Sequence, residues 1–367
     1  MTARLAQDAL PLFRRFPELE QSLPNIRLAP GPSPVARLSA LSRRLGNTDI
    51  WIKNDGLYGA VYGGNKPRKL EFVLADALHR GSRTIVTTGA LRTNHGLATA
   101  LYGTQAGLDV VLLLTYEQPD DTTEQQLRQM QAAGARLHYT RSLPRTVALT
   151  PYFALRYRSP AGPRWPYLIS PGASTALGAL GYVNAALELA EQIGQGLLPE
   201  PETIILPVGS GGTAAGLLLG LRIAGLNSRV LAVAVTRAPT AWPIAVRRLA
   251  AAAAGLLHRR GVRAPLPRIR SADLQVVRGW IPPGFGRPSH VGEEARKLLA
   301  ETEGIETDPT YTGKTLAALI DLRHGLRGPI LYWHTYNAIP LSAPAAGGAP
   351  LPAEFHRLFR DGAGDTG

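Results

Sequence analysis

The sequence predicts an α/β fold in which parallel sheets are covered by helices on both faces. The chain has 367 residues, which is too long for one small domain and fits a bilobed enzyme or two domains. It is 45% hydrophobic and 18% charged, as expected for a soluble globular core. After residue 84, short β-branched runs alternate with helical stretches, and this alternation is typical of parallel sheets flanked by helices.

The individual elements follow from that alternation. The predicted strands occupy residues 84–88, 109–114, 136–140, 203–208, 230–235 and 330–334. The predicted helices occupy residues 94–105, 125–133, 213–224 and 314–324. Residues 159–171 are rich in proline and glycine, which predicts a crossing between two lobes.

The net charge of +13 is compatible with a nucleic acid, a membrane surface or an acidic small molecule as partner. The basic residues are scattered, however, and the densest groups are pairs such as Arg43-Arg44. This pattern favours an arginine-rich solvated surface and predicts no nucleic-acid partner.

The absence of cysteine excludes disulfides, thiolate metal sites and cysteine nucleophiles. None of the eight histidines is spaced from another as metal ligands are, so no transition-metal site is predicted. No apolar run reaches the ~18 residues that a membrane span requires. Residues 1–20 lack the continuous apolar core of a secretory signal, so the expected protein is cytoplasmic and has no membrane partner.

A glycine-rich stretch follows the predicted strand 203–208 and opens the next helix. It consists of Gly209, Ser210, Gly211, Gly212 and Thr213. Glycines let the backbone approach an anion, and the N–H groups at a helix start point toward it. The stretch therefore fits a phosphate, although many glycine turns only close a strand–helix connection. It is not a Walker A loop, because no Lys-Ser/Thr follows, and it meets the dinucleotide-binding fingerprint only loosely.

Lysine is rare in this arginine-rich chain, yet Lys66 directly follows Gly63-Gly64-Asn65. Pro67 favours the first turn of a helix, so Lys66 is predicted at a helix N-terminus. A cation there opposes the helix dipole, which indicates that the amine serves another purpose. Near other positive charge its pKa would fall, and such an amine becomes a Schiff-base nucleophile. A plain surface lysine is the alternative.

Two further stretches lie at predicted helix starts. Thr93 and Asn94 offer a hydroxyl and an amide that suit a carboxylate or a phenolate oxygen, and they also suit a helix cap. Residues 307–314, TDPTYTGK, lead into the helix at 314–324. The alternative to a functional role for this stretch is a turn that caps the helix.

Four stretches together resemble one enzyme family. They are GGNKPRKLEFVLADAL, GALRTNH, VGSGGTAAG and TDPTYTGK, in the order and spacing of that family. The chain resembles the 1-aminocyclopropane-1-carboxylate deaminase and D-cysteine desulfhydrase family of pyridoxal-phosphate enzymes, which have fold type II (tryptophan synthase β-like). The resemblance covers residues 28–340, nearly the whole chain.

The resemblance implies a two-lobed homodimeric enzyme that binds pyridoxal 5′-phosphate and a small amino-acid substrate. It implies a large α/β domain, residues 1–69 and 166–367, that binds the phosphate and the ring nitrogen of the cofactor. Residues 70–165 would form a small α/β domain.

The resemblance also implies roles for individual residues. Lys66 would hold the cofactor through its amine and then take the α-proton as general base. Residues 209–213 would bind the 5′-phosphate, and Asn94 would bind the 3′-oxygen of the ring. Thr93 would face the substrate carboxylate, and Tyr311 would lie beside the substrate.

Two positions discriminate between activities within the family. Thr312 would meet the ring nitrogen, where deaminases of the cyclopropane substrate carry Glu, a carboxylate that keeps this nitrogen protonated. A neutral hydroxyl suits loss of the α-proton and expulsion of a β-leaving group better than it suits ring opening. Phe285 stands where the family usually has Tyr, and the lost hydroxyl also argues against the deaminase.

The expected substrate-facing residues depart most from the family. Arg92-Thr93-Asn94-His95 replaces the usual Gln-Ser-Asn-His, and Tyr336-Asn337 replaces a Gly-Gly pair that would lie near the cofactor. Arg92 would pair with a further acidic group on the substrate. The residues expected to face the substrate are Arg92, His95, Phe285 and Tyr336.

The leading interpretation is a lyase that acts on a small amino acid by α,β-elimination and releases ammonia and a 2-oxo acid. D-Cysteine, with loss of sulfide, is the leading substrate. The alternatives are 1-aminocyclopropane-1-carboxylate deaminase, an L-cysteate sulfo-lyase-like enzyme and a β-replacement enzyme. A pyridoxal-phosphate-binding protein without lyase turnover is the alternative of another class.

Overall fold

A computed structural model describes residues 9–159, 165–341 and 349–360, with mixed α/β secondary structure. The strands are β1 (Val35–Arg37), β2 (Ile50–Asn54), β3 (Thr84–Ala90), β4 (Asp109–Thr115), β5 (Arg136–Arg141), β6 (Tyr167–Ile169), β7 (Thr203–Val208), β8 (Arg229–Ala234), β9 (Leu274–Val277) and β10 (Ile330–His334). The helices are α1 (Pro11–Arg15), α2 (Ser39–Arg44), α3 (Asn65–His79), α4 (Asn94–Gln105), α5 (Thr123–Ala132), α6 (Leu143–Arg156), α7 (Ala176–Gly194), α8 (Gly212–Ile223), α9 (Pro243–Arg259), α10 (His290–Glu303), α11 (Thr312–Leu322) and α12 (Ala353–Arg360). In this described part of the chain, no helix is both long and apolar enough to span a membrane.

The described residues form two compact units, each built around its own sheet. The first unit contains residues 9–72 and 174–339, and the second contains residues 73–173 with the described part of 340–360. The first sheet has the order β1-β2-β10-β7-β8-β9, and the second has the order β5-β4-β3-β6. Only the β1–β2 pair among these neighbours is antiparallel. The predicted parallel sheets flanked by helices are thereby confirmed.

All six predicted strands are present, as β3, β4, β5, β7, β8 and β10. Of the strands that the sequence did not predict, β1 and β6 have three residues each and β9 has four, too few to show a periodic pattern. β6 lies inside the proline- and glycine-rich stretch interpreted as a crossing, of which residues 160–164 lie outside the described residues.

The C-terminal helix differs in position from the domain boundaries expected from the sequence. The resemblance implies that residues 166–367 belong to the large domain, whereas α12 packs on β5 of the second unit. The Glu354 carboxylate accepts a hydrogen bond from the Tyr139 backbone N–H at 2.8 Å. The Phe355 ring is fully buried and lies 5.7 Å from the Tyr139 ring, so apolar burial holds the helix there.

In the first unit, helices cover both faces of the sheet. Helices α7, α8 and α9 share one apolar core with the sheet, and α2, α10 and α11 share the other. Glycines on α8 allow close contact with α7, because a Cβ at Gly216 would overlap the Ala179 carbonyl oxygen. This close packing fixes the N-terminus of α8 beside the end of β7.

The buried side chain of Arg68 ties α3 to the rest of the first unit. Its guanidinium donates to Asp55 Oδ1 at 2.8 Å and to Glu188 Oε2 at 3.0 Å, and it lies 3.6 Å from the centroid of the Tyr58 ring. Lys53 Nζ is 2.6 Å from Glu188 Oε1. Although burial opposes ionisation, the charges of Arg68 and Lys53 lower the pKa of Glu188 to about 2. Each buried charge in this network therefore has an opposite partner.

Replacing Arg68 should destabilise the protein far more than replacing a surface arginine. Arg68→Met leaves two buried carboxylates without this hydrogen-bonded partner, so we expect the free energy of unfolding to fall by about 3–5 kcal/mol. Arg37→Met, which removes an exposed ion pair with Asp49, should cost less than ~1 kcal/mol. Urea unfolding followed by tryptophan fluorescence measures both. Equal losses in the two variants would contradict the importance of the buried network.

Candidate active site

Two candidate segments of the first unit lie at the carboxyl ends of parallel strands. Residues 209–212 follow β7 and residues 335–338 follow β10, and these two strands are neighbours. The next strand along the chain, β8, lies on the other side of β7. The strand order therefore reverses at β7, and such a switch point is where open α/β sheets bind ligands.

Lys66 is the second residue of α3, at the predicted helix start. Gly64 before it has a φ of 91°, and a Cβ there would lie 2.6 Å from the Thr335 carbonyl oxygen, so the turn requires glycine. The Lys66 amine donates to Asn65 Oδ1 at 2.6 Å. Burial lowers the pKa of this amine to about 8, against an opposing effect of the Asp308 carboxylate. Burial, rather than the neighbouring positive charge expected from the sequence, thus makes the amine partly neutral near physiological pH.

Polar donors meet at the N-terminus of α8. Gly211 has a φ of 85°, and the Gly212 N–H that follows donates to Ser174 Oγ at 3.2 Å. Ser174 Oγ also lies 2.7 Å from Ser210 Oγ and accepts from Lys69 Nζ at 3.3 Å. Backbone N–H, hydroxyl and amine groups at a helix N-terminus are suited to hold a phosphate.

Lys69 and Asn65 belong to this arrangement, although the sequence analysis assigns them no role. Lys69 is 1% exposed, and burial, with a further effect of the Lys66 charge, lowers its pKa well below the usual value. Asn65 Nδ2 donates to Thr213 Oγ1 at 3.1 Å, which links α3 to α8. The spacing of three residues between Lys66 and Lys69 places them on one side of a helix, and that spacing is the signal in the sequence that could identify Lys69.

The ring of Tyr311 lies beside the glycine turn, and the ring of Phe285 packs on Tyr311. A Cβ at Gly209 would lie 3.6 Å from Tyr311 Cε1. The Phe285 ring meets the Tyr311 ring edge to face at a centroid distance of 5.7 Å, and Phe285 is 43% exposed. Within the first unit, the structure thus brings Tyr311 and Phe285 together near the end of β7.

Thr312 is fully buried at the start of α11. Its Oγ1 donates to Asp308 Oδ2 at 3.0 Å and accepts from the Asp308 N–H at 2.9 Å. The hydroxyl that the resemblance assigns to the ring nitrogen is therefore held by a carboxylate of the chain.

Tyr336 and Asn337, which replace the family's Gly-Gly pair, contact the turn before Lys66. Asn337 Oδ1 accepts from the Gly63 N–H at 2.5 Å. A Cβ at Gly56 would lie 2.6 Å from the Tyr336 carbonyl oxygen. Tyr336 is partly buried, and burial raises the pKa of its hydroxyl. The two larger residues thus support the glycine turn through their backbone and amide groups.

In the second unit, Thr93 directly precedes α4, and Asn94 is the first residue of that helix. Thr93 caps the helix, since its Oγ1 accepts from the Gly96 N–H at 3.1 Å. The Asn94 side-chain oxygen accepts from Gln126 Nε2 at 3.4 Å. Both side chains are partly exposed at a helix N-terminus, where an anionic oxygen is favoured.

Arg92 is engaged within the second unit. Its guanidinium is 3.0 Å from Glu117 Oε1 and also pairs with Asp120 Oδ2. The sequence analysis expects this arginine to pair with an acidic group of the substrate. In the structure, two carboxylates of the chain already compensate its charge. Such a substrate group would have to compete with both.

His95 also differs from its expected place facing the substrate. It is 3% exposed, and its Nε2 and Nδ1 lie 3.0 Å and 3.5 Å from the hydroxyls of Thr87 and Thr99. These contacts make His95 a buried support of the β3–α4 connection. The reason is its position at the second residue of α4, which faces the sheet rather than the helix N-terminus.

The lowered pKa of Lys66 predicts the pH dependence of its reactivity. The neutral amine reacts, so modification of Lys66 should rise with pH and reach its midpoint at about 8 rather than 10.5. At pH 7 roughly one amine in ten would be neutral. Reductive methylation of the cofactor-free protein with peptide mass spectrometry measures this, with the exposed Lys297 used to normalise reagent exposure. A midpoint near 10.5, the ordinary value, would contradict the buried environment.

The glycine turn should not tolerate a methyl group at residue 212. In Gly212→Ala, the new Cβ would lie 2.6 Å from Ser174 Oγ and 3.0 Å from Lys69 Nζ, and it would displace the donors that meet there. We expect affinity for pyridoxal phosphate to fall by about tenfold or more. Fluorescence titration measures the Kd. The matched control is Gly255→Ala in α9, where the new Cβ would lie 3.4 Å from Arg259 Nη1, and this variant should bind as the wild type does.

Known proteins resemble this chain over most of its length. The family model described as pyridoxal-phosphate dependent enzyme matches residues 26–335. The D-cysteine desulfhydrase of Salmonella schwarzengrund (strain CVM19633) is 38% identical over 93% of this chain and 97% of its own. The D-cysteine desulfhydrase of Salmonella choleraesuis (strain SC-B67) is 37% identical with the same coverage.

Solved structures extend the comparison to the fold. An ACC deaminase homologue is 30% identical, has a TM-score of 0.75 and matches 90% of this chain and 95% of its own. A fungal L-serine ammonia-lyase from Rhizomucor miehei, at 18% identity and a TM-score of 0.57, matches 83% of this chain and 93% of its own and shares the fold. The matched region contains Lys66, the glycine turn and Thr312, and the chain belongs to the family of pyridoxal-phosphate dependent enzymes.

Proposed function

We propose that the protein is a pyridoxal-phosphate-dependent carbon–sulfur lyase that converts D-cysteine and water to sulfide, ammonia and the 2-oxo acid pyruvate. The observation that carries the proposal is a pairing within the first unit. A lysine amine with a pKa of about 8 begins α3, and an anion-binding turn begins α8 nearby, linked to it through Asn65 and Thr213. The relatives at 37–38% identity over 93% of the chain are D-cysteine desulfhydrases.

The residues present fit the cofactor's phosphate. The turn at 209–213 offers backbone N–H groups at a helix N-terminus, and it has no Cβ at Gly209, Gly211 or Gly212 to crowd an anion. The buried amine of Lys69 has Ser174 Oγ as a hydrogen-bond acceptor at 3.3 Å, beside this turn. A dianionic phosphate would favour the protonated form of Lys69 and complement the helix dipole.

When bound, pyridoxal phosphate supplies a ring that accepts the electron pair released as the substrate Cα–H bond breaks. Lys66 Nζ would hold the cofactor and would take the Cα proton. Because the pKa of Lys66 is about 8, its neutral form is accessible at neutral pH, as a general base requires. Loss of the sulfur substituent from Cβ then completes the elimination.

The remaining site residues are assigned by the same proposal. Thr93 would donate to the substrate carboxylate, and Asn94 would donate to the 3′-oxygen of the cofactor. Tyr311 would lie beside the substrate, and Thr312 would meet the ring nitrogen. The partial exposure of Thr93 and Asn94 at a helix N-terminus supports the first two roles, and the place of Tyr311 beside Gly209 supports the third.

The main alternative is 1-aminocyclopropane-1-carboxylate deaminase. It is favoured by one solved structure, the ACC deaminase homologue at 30% identity. Phe285, which meets Tyr311 edge to face, lacks the hydroxyl that the deaminase family usually carries there, and this disfavours the alternative. A sulfonated substrate such as cysteate is disfavoured because Arg92 already pairs with Glu117 and Asp120.

We also propose that the protein acts as a cytoplasmic homodimer, as the resemblance to its family implies. Size-exclusion chromatography with light scattering tests the dimer, and a monomeric mass at micromolar concentration would contradict it.

The activity is tested directly with purified protein and pyridoxal phosphate. D-Cysteine should yield sulfide and pyruvate in equal amounts, and borohydride should fix the cofactor on the peptide that contains Lys66. Lys66→Ala removes the proton acceptor and should lower kcat by about 10²–10⁴-fold, whereas Lys297→Ala should match the wild type. Consumption of the cyclopropane substrate without any attack on D-cysteine would reject the lyase in favour of the deaminase.

A further inference from the structure

Asp308 is a buried carboxylate that the proposed reaction does not use. It is 6% exposed and lies in the loop before α11. Its Oδ1 accepts from the N–H groups of Thr310 at 3.0 Å and Tyr311 at 2.6 Å. Its Oδ2 accepts from the Thr312 N–H at 3.2 Å and from Thr312 Oγ1 at 3.0 Å. Burial raises the pKa of the Asp308 carboxyl, and these four donors act against that effect by stabilising its ionised form.

The hydrogen bonds of Thr312 leave its hydroxyl with a single remaining function. A hydroxyl has one hydrogen and two lone pairs. The hydrogen points to Asp308 Oδ2, and one lone pair accepts from the Asp308 N–H at 2.9 Å. The second lone pair can only accept a hydrogen bond. While Thr312 Oγ1 donates to Asp308, a group that meets this oxygen must therefore bring its own hydrogen.

The same carboxylate acts on Lys66. Burial lowers the pKa of the Lys66 amine, and the Asp308 charge acts in the opposite direction. Asp308 also acts on the titratable groups of Lys314, Tyr332 and Tyr336. The Lys314 amine donates to the carbonyls of Ile281 and Gly284, at 2.9 Å and 2.7 Å, and the Tyr332 hydroxyl donates to the Thr312 carbonyl at 3.0 Å. Those two groups are thus satisfied by backbone oxygens rather than by Asp308.

We propose that Asp308 is a positioning residue that sets two proton positions, because it takes the hydrogen of the Thr312 hydroxyl and supplies negative charge to the Lys66 amine. A pyridine nitrogen bound at Thr312 must then carry its own proton. This step rests on the proposed function, which places the ring nitrogen there. The Thr312 hydroxyl is neutral, but it is hydrogen-bonded to the Asp308 carboxylate, which carries the negative charge.

A purely structural role is the competing explanation, since the carboxylate also caps α11. Asp308→Asn separates the two roles. The asparagine keeps an oxygen for the N–H groups of Thr310 and Tyr311, and it removes the charge and one of the two acceptor oxygens. Asp49→Asn, at an exposed carboxylate paired with Arg37, is the matched control.

The first measurement uses cofactor-free protein and does not depend on the proposed function. In Asp308→Asn, the midpoint for reductive methylation of Lys66 should move to lower pH than in the wild type, because an opposing negative charge has gone. Asp49→Asn should leave the midpoint unchanged. An unchanged midpoint in Asp308→Asn overturns the proposal.

The second measurement is the ¹⁵N NMR spectrum of protein loaded with ¹⁵N-labelled pyridoxal phosphate at neutral pH. The ring nitrogen of the wild type and of Asp49→Asn should resonate where a protonated pyridine does, and that of Asp308→Asn should move toward the free base. Thr312→Val should show the same change, and Thr312→Ser should retain the wild-type signal. A free-base signal in the wild type overturns the proposal, as does a variant that only lowers the Tm. If both measurements give the expected results but no sulfide is released, the proposed lyase activity is rejected and the role of Asp308 is retained.

Discussion

The first unit depends on the buried guanidinium of Arg68, whose positive charge is compensated by two carboxylates. Arg68 lies on α3 between Asp55, which follows β2, and Glu188 on α7, and it contacts both carboxylates. Successive residues of an α-helix are about 100° apart, so Lys66 lies about 200° from Arg68 around α3. Holding Arg68 in the core therefore turns Lys66 to the opposite side. Lys69, three residues after Lys66, lies only about 60° from it and faces Gly212 and Ser174 at the N-terminus of α8.

Close backbone contacts connect α3 to α8 through α7. A Cβ at Gly181 of α7 would overlap the Arg68 carbonyl oxygen, and one at Gly216 of α8 would overlap the Ala179 carbonyl oxygen. Three helices thus touch through positions that only glycine can occupy. The ion pairs fix the rotation of α3, and the glycines fix its distance from the turn that would hold the phosphate.

The turn before Lys66 is held from the other side by the segment after β10. The Asn65 N–H donates to the Thr335 carbonyl at 3.2 Å, and the Gly63 N–H donates to Asn337 Oδ1 at 2.5 Å. A Cβ at Gly63 would overlap the Gly56 carbonyl oxygen. The side chain of Asn337 therefore supplies a hydrogen bond that glycine at the same position cannot. It adds a second hydrogen bond between the segment after β10 and the backbone that precedes Lys66.

Features whose chemistry is local follow from the amino-acid order. Buried parallel strands such as β7 are continuous apolar runs, and glycine turns and helix starts have fixed residue preferences. Six of the ten described strands, the turn at 209–213 and the place of Lys66 could therefore be predicted. Which charges compensate one another depends instead on the fold. Lys69 meets Ser174, Arg92 meets Glu117 and Asp120, and Asp308 acts on Lys66, across separations in sequence that no local pattern records. The physical reason is that a backbone conformation is set by neighbouring residues, whereas the state of a buried charge is set by whichever segments the fold brings to it.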